Sequence, residues 1–316
     1  MSLFQKIPDR KTRSNLRAFA KVHNLGRVSD IPFPEHAGAS FVKCREDFQK
    51  AFCVSGDHPN LQDPSYGFSW QLLERCAEHV DGALCCVATG CLAGAEALAR
   101  TAIEAAVTCR YVYAKDAPLR LASYFQDFIL TNEKQCDGWE KSVIPIRDSE
   151  KQAQLVGIRK RRQMLNALKP LIDAFAAEAL RFCQATAIPR WPSRIELRFE
   201  QVGELPFYKS TYARLSGQVH PDAENVIAYF LTTACPHPDA VHKAGLEVGS
   251  FTLLYVFIAV EHYIKAQIAF SRAYRLTDAL PKLEDHQRYL RLLQGCAIEQ
   301  SGTIDESWMP DRPTQI

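Results

Sequence analysis

Apolar residues recur on a helical period through residues 66–114, and that rhythm sets the class of fold. The stretches YGFSWQLLERCAEHVDGALCCVATG (66–90) and CLAGAEALARTAIEAAVTCRYVYA (91–114) both carry apolar side chains on helical spacing. Gly82, Gly90 and Gly94 are the candidate breaks or close-packing points. Asp116 is placed to cap the next helix, with Pro118 in its first turn and Leu121, Phe125, Phe128 and Ile129 along it. A longer helical stretch covers residues 148–185, where Pro170 is expected to kink or divide it. Ser193 and Glu196 read as a capping box opening SRIELRFEQVGE, although Ile195, Leu197 and Phe199 also fit a strand. Pro221 opens a further helical piece, a long helix runs over 241–274, and a shorter one over 280–296. The closing SGTIDESWMPDRPTQI is polar and Pro-containing, as expected of a loose tail. Long helices with short connections predict an all-α antiparallel helical bundle. With no strand–helix alternation, no GxGxxG and no Walker motif, a Rossmann or P-loop enzyme is not expected.

With 316 residues and 47% of them apolar, the chain can bury a substantial core. The run at 251–260 ends at Glu261 and His262, short of the ~20 residues that cross a bilayer, so no membrane partner is expected. The basic N-terminus has no apolar core or small-residue cleavage site behind it, so no secretory signal is expected. Eleven cysteines include no CxxC pair, which points away from a disulfide framework or zinc ribbon and towards small buried hydrophobes in a reducing cytoplasm. Cys235, His237 and His242 are the only metal-like cluster, weaker than an ordinary Pro-containing loop, and no metal or cofactor is expected.

The net charge of +2 conceals an uneven distribution. Residues 1–28 hold seven Lys/Arg against Asp9 alone, which puts +6 in this arm and leaves −4 for the rest. A second cluster is Arg159-Lys160-Arg161-Arg162. Both read either as phosphate contacts, with binding that falls steeply with salt, or as solvated faces.

The segment with most chemistry is YKSTYARLSGQVHPD, residues 208–222. On an unbroken helix, Arg214 and His220 would diverge by about 120°. Gly217 can end a turn and Pro221 biases His220 towards extended backbone, so a break is expected between the pair. With Pro221 as the first helical residue, His220 falls at its N-cap. The helix dipole and Arg214 then favour a neutral imidazole, while Asp222 and Glu224 pull the other way. Either outcome leaves His220 in range for proton transfer, and Arg214 offers a planar fork for phosphate.

Arg214 and His220 form an R-x5-H element that resembles the R-x4-6-H mark of the HEPN superfamily (higher eukaryote and prokaryote nucleotide-binding domains). YKSTYARLSGQVHPD also resembles the Tyr…Tyr-x-x-Leu-Ser…Val-His-Pro block of a HEPN-like bacterial family, and ALARTAIEAAVTCRYVY its Arg-x-x-x-Glu helix. The resemblance spans about residues 66–276, between a basic extension at 1–65 and a helical tail at 277–316. It implies a homodimer whose two R…H elements share a cleft and cut RNA without metal, in toxin–antitoxin or phage-defence systems with a cognate protein partner. His220 would be the general acid/base and Arg214 would stabilise the phosphorane, with Ser216, Gln218, Arg100, Glu104 and Tyr212 in support. Leu215 departs from the family, whose catalytic members frequently carry a polar residue there. The alternative is an inactive HEPN-like module that binds RNA, a nucleotide or a protein.

Plainer readings accompany the remaining candidates. Glu96, Arg100, Glu104 and Thr108 recur every four residues, either to orient His220 and line the cleft or as an ion-pair ladder facing water. Tyr208 and Tyr212 suit base stacking or core packing. His262 reads as a buried histidine with its hydrogen bonds satisfied.

Overall fold

The computed structural model describes residues 34–54, 63–144, 148–213, 215 and 238–300. Its elements are α1 (Pro34–Val54), α2 (Tyr66–Ala88), α3 (Leu92–Tyr113), α4 (Ala117–Val143), α5 (Asp148–Phe182) and α6 (Ile195–Gln201). The short α7 (Leu205–Phe207) runs into a π-helical turn at Tyr208–Tyr212. It is followed by α8 (Pro238–Ala273), a 3-10 turn at Thr277–Ala279 and α9 (Leu280–Gln300). No strand occurs among the described residues, so the chain is an all-α helical bundle and the strand alternative for 195–199 falls away.

Helices α3 and α8 form the centre, with α2 packed on both and α9 folded back along α8. Glu96 meets Thr252 while Arg110 and Lys265 converge on Glu204, so α3 and α8 run in the same direction. Tyr113 Oη donates to Ser69 O at 2.7 Å, the far end of α2, making that pair antiparallel. Such close packing is possible because Ala95, Ala99, Ala102 and Ala106 line α3 with fully buried methyls. Around Phe270, the rings of Phe48, Tyr113 and Tyr274 stand 5.7, 5.5 and 4.5 Å away, and each aromatic pair contributes ~0.5–1.5 kcal/mol beyond burial.

The core crosses both boundaries expected from the sequence. On α1, Phe41, Cys44 and Phe48 are buried at helical spacing, with Phe41 against Tyr263 and Phe48 stacked on Trp70. Leu283 and Leu290 of α9 join the same cluster. Asp47, buried on α1, takes His286 Nε2 of α9 at 3.1 Å. Residues 34–54 and 280–293 are therefore walls of the bundle, which a division at 66 and 276 would strip away.

Helices α4 and α5 form a hairpin with its own apolar seam of Ile129, Cys136, Val143, Ile158 and Leu165. Half of the RKRR cluster is engaged there: Arg162 holds Asp137 and Glu140 at 2.8 Å each, and Arg161 donates to Asn132 Oδ1. Arg159 and Lys160 are exposed.

Three local expectations change. Asp116 precedes α4 in left-handed backbone, φ 47°, and its carbonyl rather than its side chain serves Leu119 and Arg120. Ser193 and Glu196 form no capping box, because Arg194 is the cap and Glu196 is drawn away to Lys209. Pro170 does not divide α5. It and Asn166, whose carbonyl loses its helical donor, both lie on the exposed face, so the break in the ladder falls outside the core.

Residues Phe251–Ala273 have the length and hydropathy of a membrane span, which the reading of 251–260 alone did not register. Yet 78% of its 18-residue apolar window is buried inside the bundle, as a central helix requires.

Candidate functional site

The polar stripe of α3 faces the π-helical turn, α6 and α8 rather than open water. A π turn accommodates one residue more than an α turn and often marks a functional segment. Here it stacks Tyr208 on Tyr212, ring centroids 5.4 Å apart, and sets Tyr212 against Phe199 at 5.0 Å. Tyr212 is 2% exposed, so its ring is a packing element and offers no face to a base.

Its hydroxyl closes a three-membered network. Tyr212 Oη donates to Glu104 Oε1 and accepts from Arg100 Nε at 3.3 Å, while Arg100 and Glu104 pair at 3.3 Å. Arg100 also lies over the Tyr212 ring, 5.5 Å from its centroid. Burial, then donation to Glu104, pushes the Tyr212 phenol well above its ordinary range and keeps it protonated. Burial opposes the charge of Arg100, but Tyr212 and Glu104 prevail and raise its pKa.

Arg198 joins the cluster and was missed by the sequence reading. It donates to Thr108 Oγ1 at 2.8 Å and lies over Trp191, and its Nε has no hydrogen-bond partner among the described residues. Burial lowers its pKa, against the pull of Glu104. At the other end of the stripe, Thr252 donates to Glu96 Oε1 at 2.6 Å, and burial raises the Glu96 carboxyl despite that bond. Two guanidiniums and two carboxylates thus line one side of α3.

The structure brings together Arg100, Glu104 and Tyr212 of the expected site. Arg214, Ser216, Gln218 and His220 lie outside the described residues, as do Cys235 and His237 and the side chain of His242. Among the described residues no group of His, Cys, Asp or Glu suits a metal ion. Leu215 is fully buried in the main core, so the position next to Arg214 is committed to packing.

A second charged cluster lies where α3, the turn before α7, α8 and α9 meet, at a cleft of about 710 Å³. Glu204 is its hub, with Arg110 Nη1 at 2.6 Å, Lys265 Nζ at 2.9 Å and His262 Nδ1 at 3.6 Å. Burial opposes the Glu204 charge, yet these neighbours hold its pKa below the ordinary value. His262 is buried as expected, but its Nδ1 has no hydrogen bond among the described residues, and desolvation drives its pKa far down. The cations around the cleft are matched by carboxylates: Lys265 and Arg291 by Glu261, Arg272 by Glu284 and Arg288 by Asp285. This cluster fastens α9 to the centre.

What emerges is an α-helical bundle in which a π turn, pinned by Tyr212 to a charged stripe, leads into the R-x5-H segment. A family model, described as a family of unknown function (DUF5677), matches residues 68–234, from α2 through the R-x5-H element. The chain belongs to that family. No curated protein and no solved structure matches it.

Proposed function

We propose that the protein is a metal-independent endoribonuclease of the HEPN type. The observation that carries this reading is the Tyr212–Glu104–Arg100 network, which fixes the chain two residues before Arg214 against a charged face. A catalytic Arg must be held closely against its phosphate, and a firmly packed segment two residues upstream supports that role for Arg214. In the reaction, a His220 imidazole takes the ribose 2′-OH proton as the oxygen attacks the adjacent phosphorus. The bond to the 5′-oxygen breaks, and that oxygen leaves with a proton from the other His220 of a homodimer. The products are a 2′,3′-cyclic phosphate and a 5′-OH. Arg214 stabilises the phosphorane, a contribution of ~3 kcal/mol for a well-placed donor.

The test is RNA incubated with purified protein in EDTA, comparing wild type with His220→Ala and Arg214→Ala. Cleavage by wild type that each substitution reduces by at least ~100-fold supports the proposal. Cleavage that requires magnesium, or survives both substitutions, contradicts it.

Burial of Leu215 favours a second reading, a non-catalytic helical module that binds RNA, a nucleotide or a protein partner. It predicts no turnover under any condition, while His220→Ala lowers the melting temperature by several degrees, as for ~1–2 kcal/mol.

A further inference from the structure

The turn between α2 and α3 ends the first helix in a Schellman arrangement. Gly90 N–H donates to Val87 O at 3.0 Å, Cys91 N–H donates to Cys86 O at 2.8 Å, and Gly90 takes φ +73°. This geometry ordinarily presses two apolar side chains together, from the third-last helical residue and the second residue past the cap. Here those positions are Cys86 and Cys91, so the two side chains lie on the same side of the turn. Both sulfurs close over Gly94, where an added Cβ would stand 2.9 Å from Cys91 Sγ and 3.2 Å from Cys86 Sγ. Glycine at 94 is thus the condition for the two sulfurs to occupy the turn.

Cys44, Cys76, Cys109 and Cys136 are buried, whereas Cys91 and Cys85 are exposed and Cys86 and Cys183 half-buried. Of the accessible ones, Cys86 and Cys91 are the two whose sulfurs meet over Gly94. Cys76 and Cys109 also approach one another, but deep in the core, where burial pushes both thiols up and excludes a reagent. A disulfide needs Cα atoms about 5.5 Å apart and converging Cβ vectors. The backbone bond from Cys91 N–H to Cys86 O and the closure of both sulfurs over Gly94 hold the two residues side by side within one turn.

We propose that Cys86 and Cys91 are a redox-modification site that a two-electron oxidant of the peroxide class converts to an intramolecular disulfide. The exposed Cys91 sulfur attacks one peroxide oxygen, the O–O bond breaks, and water leaves with the Cys91 proton, giving a sulfenic acid. Cys86 sulfur then attacks the Cys91 sulfur. The S–O bond breaks, and the departing oxygen leaves as a second water with the Cys86 proton. Two thiols lose two electrons and two protons, and one hydrogen peroxide becomes two waters. Burial raises the Cys86 thiol, which suits it to the second, resolving step rather than the first. The loop closed is short, so the bond adds less stability than one closing a long loop, and the exposure of Cys91 leaves it open to reduction. Cys91 stands at the start of α3, so the modification acts on the helix that carries Arg100 and Glu104, but it does not depend on the nuclease reading.

The experiment treats the reduced full-length protein with stoichiometric hydrogen peroxide, followed by intact mass and differential alkylation of Cys85, Cys86 and Cys91. The expected result is a mass lower by about 2 Da, with Cys86 and Cys91 protected together and both restored by dithiothreitol. Cys86→Ser should leave a Cys91 sulfenic acid that dimedone traps, and Cys85→Ser should change nothing. Free Cys86 and Cys91 after treatment, a bond that uses Cys85 instead, or oxygen adducts at Cys91 while Cys86 remains available would overturn the proposal.

Discussion

Tyr212 shows how far single residues could be read in advance. The four-residue rhythm of Glu96, Arg100, Glu104 and Thr108 is visible in the sequence, but the direction it faces is not. That depends on Tyr212, 112 positions from Arg100, and on Arg198, 90 positions from Thr108. Arg198 carried no local signal, since a lone Arg on a short helix reads as solvated until Trp191 and Thr108 close around it. Tyr212→Phe removes one oxygen and keeps the ring on Phe199, so it isolates the network. The expected loss is ~1–2 kcal/mol, read as a lower urea midpoint at unchanged slope. An unchanged midpoint would show that the hydroxyl contributes nothing.

His262 gives a pH prediction at the same scale. Desolvation first, then Lys265, lower its folded pKa, although Glu204 pulls upward. The unfolded chain therefore binds this proton more tightly, with a pKa of ~6.5. The stabilisation is complete above that pH and falls as pH drops below it, by up to about 1.4 kcal/mol per pH unit. The lowered carboxylates Glu204 and Glu261 add their own loss only in the more acidic range below ~4.5. Urea denaturation of wild type between pH 6.5 and 5 should show a slope that His262→Gln flattens. Parallel slopes would place the acid sensitivity elsewhere.

Among the elements, the long helices were legible because period and length agree, as in α2, α3 and α8. Their ends were not. Glu196 has the sequence of a capping partner, but Lys209, thirteen positions on, competes for the same carboxylate and takes it. The role of α1 was obscured by the basic residues before it, although Phe41, Cys44 and Phe48 already lie at helical spacing. Since those side chains cover Tyr263, Trp70 and Phe270, a fragment of residues 66–276 should expose this aromatic face. The fragment is expected to melt without a cooperative transition and to bind a hydrophobic dye, where the full chain does neither. A fragment melting as sharply as the full chain would show that α1 and α9 are dispensable. Within the intact fold, Phe48→Ala should cost ~3–5 kcal/mol through the cavity it leaves beside Trp70 and Phe270.

For the molecule as a whole, one core built on α3 and α8 supports two charged regions with different tasks. The Glu204 cluster balances its charges internally and fixes α9, whereas the α3 stripe meets the segment that leads to Arg214. The alanines that let α2 and α8 close on α3 therefore also set the position of Arg100 and Glu104. Net charge was a poor guide at this scale, because +6 resides in residues 1–28 and pairing at Arg161 and Arg162 withdraws half of the second basic cluster. The claim that this architecture positions Arg214 and His220 for RNA transesterification is tested most directly by the chemistry of the product ends. RNA cut by wild-type protein in EDTA should carry a 2′,3′-cyclic phosphate and a 5′-OH, and an RNA with a single 2′-deoxynucleotide at the cleaved linkage should remain whole there. Ends bearing a 5′-phosphate, or cleavage at the deoxy position, would contradict it.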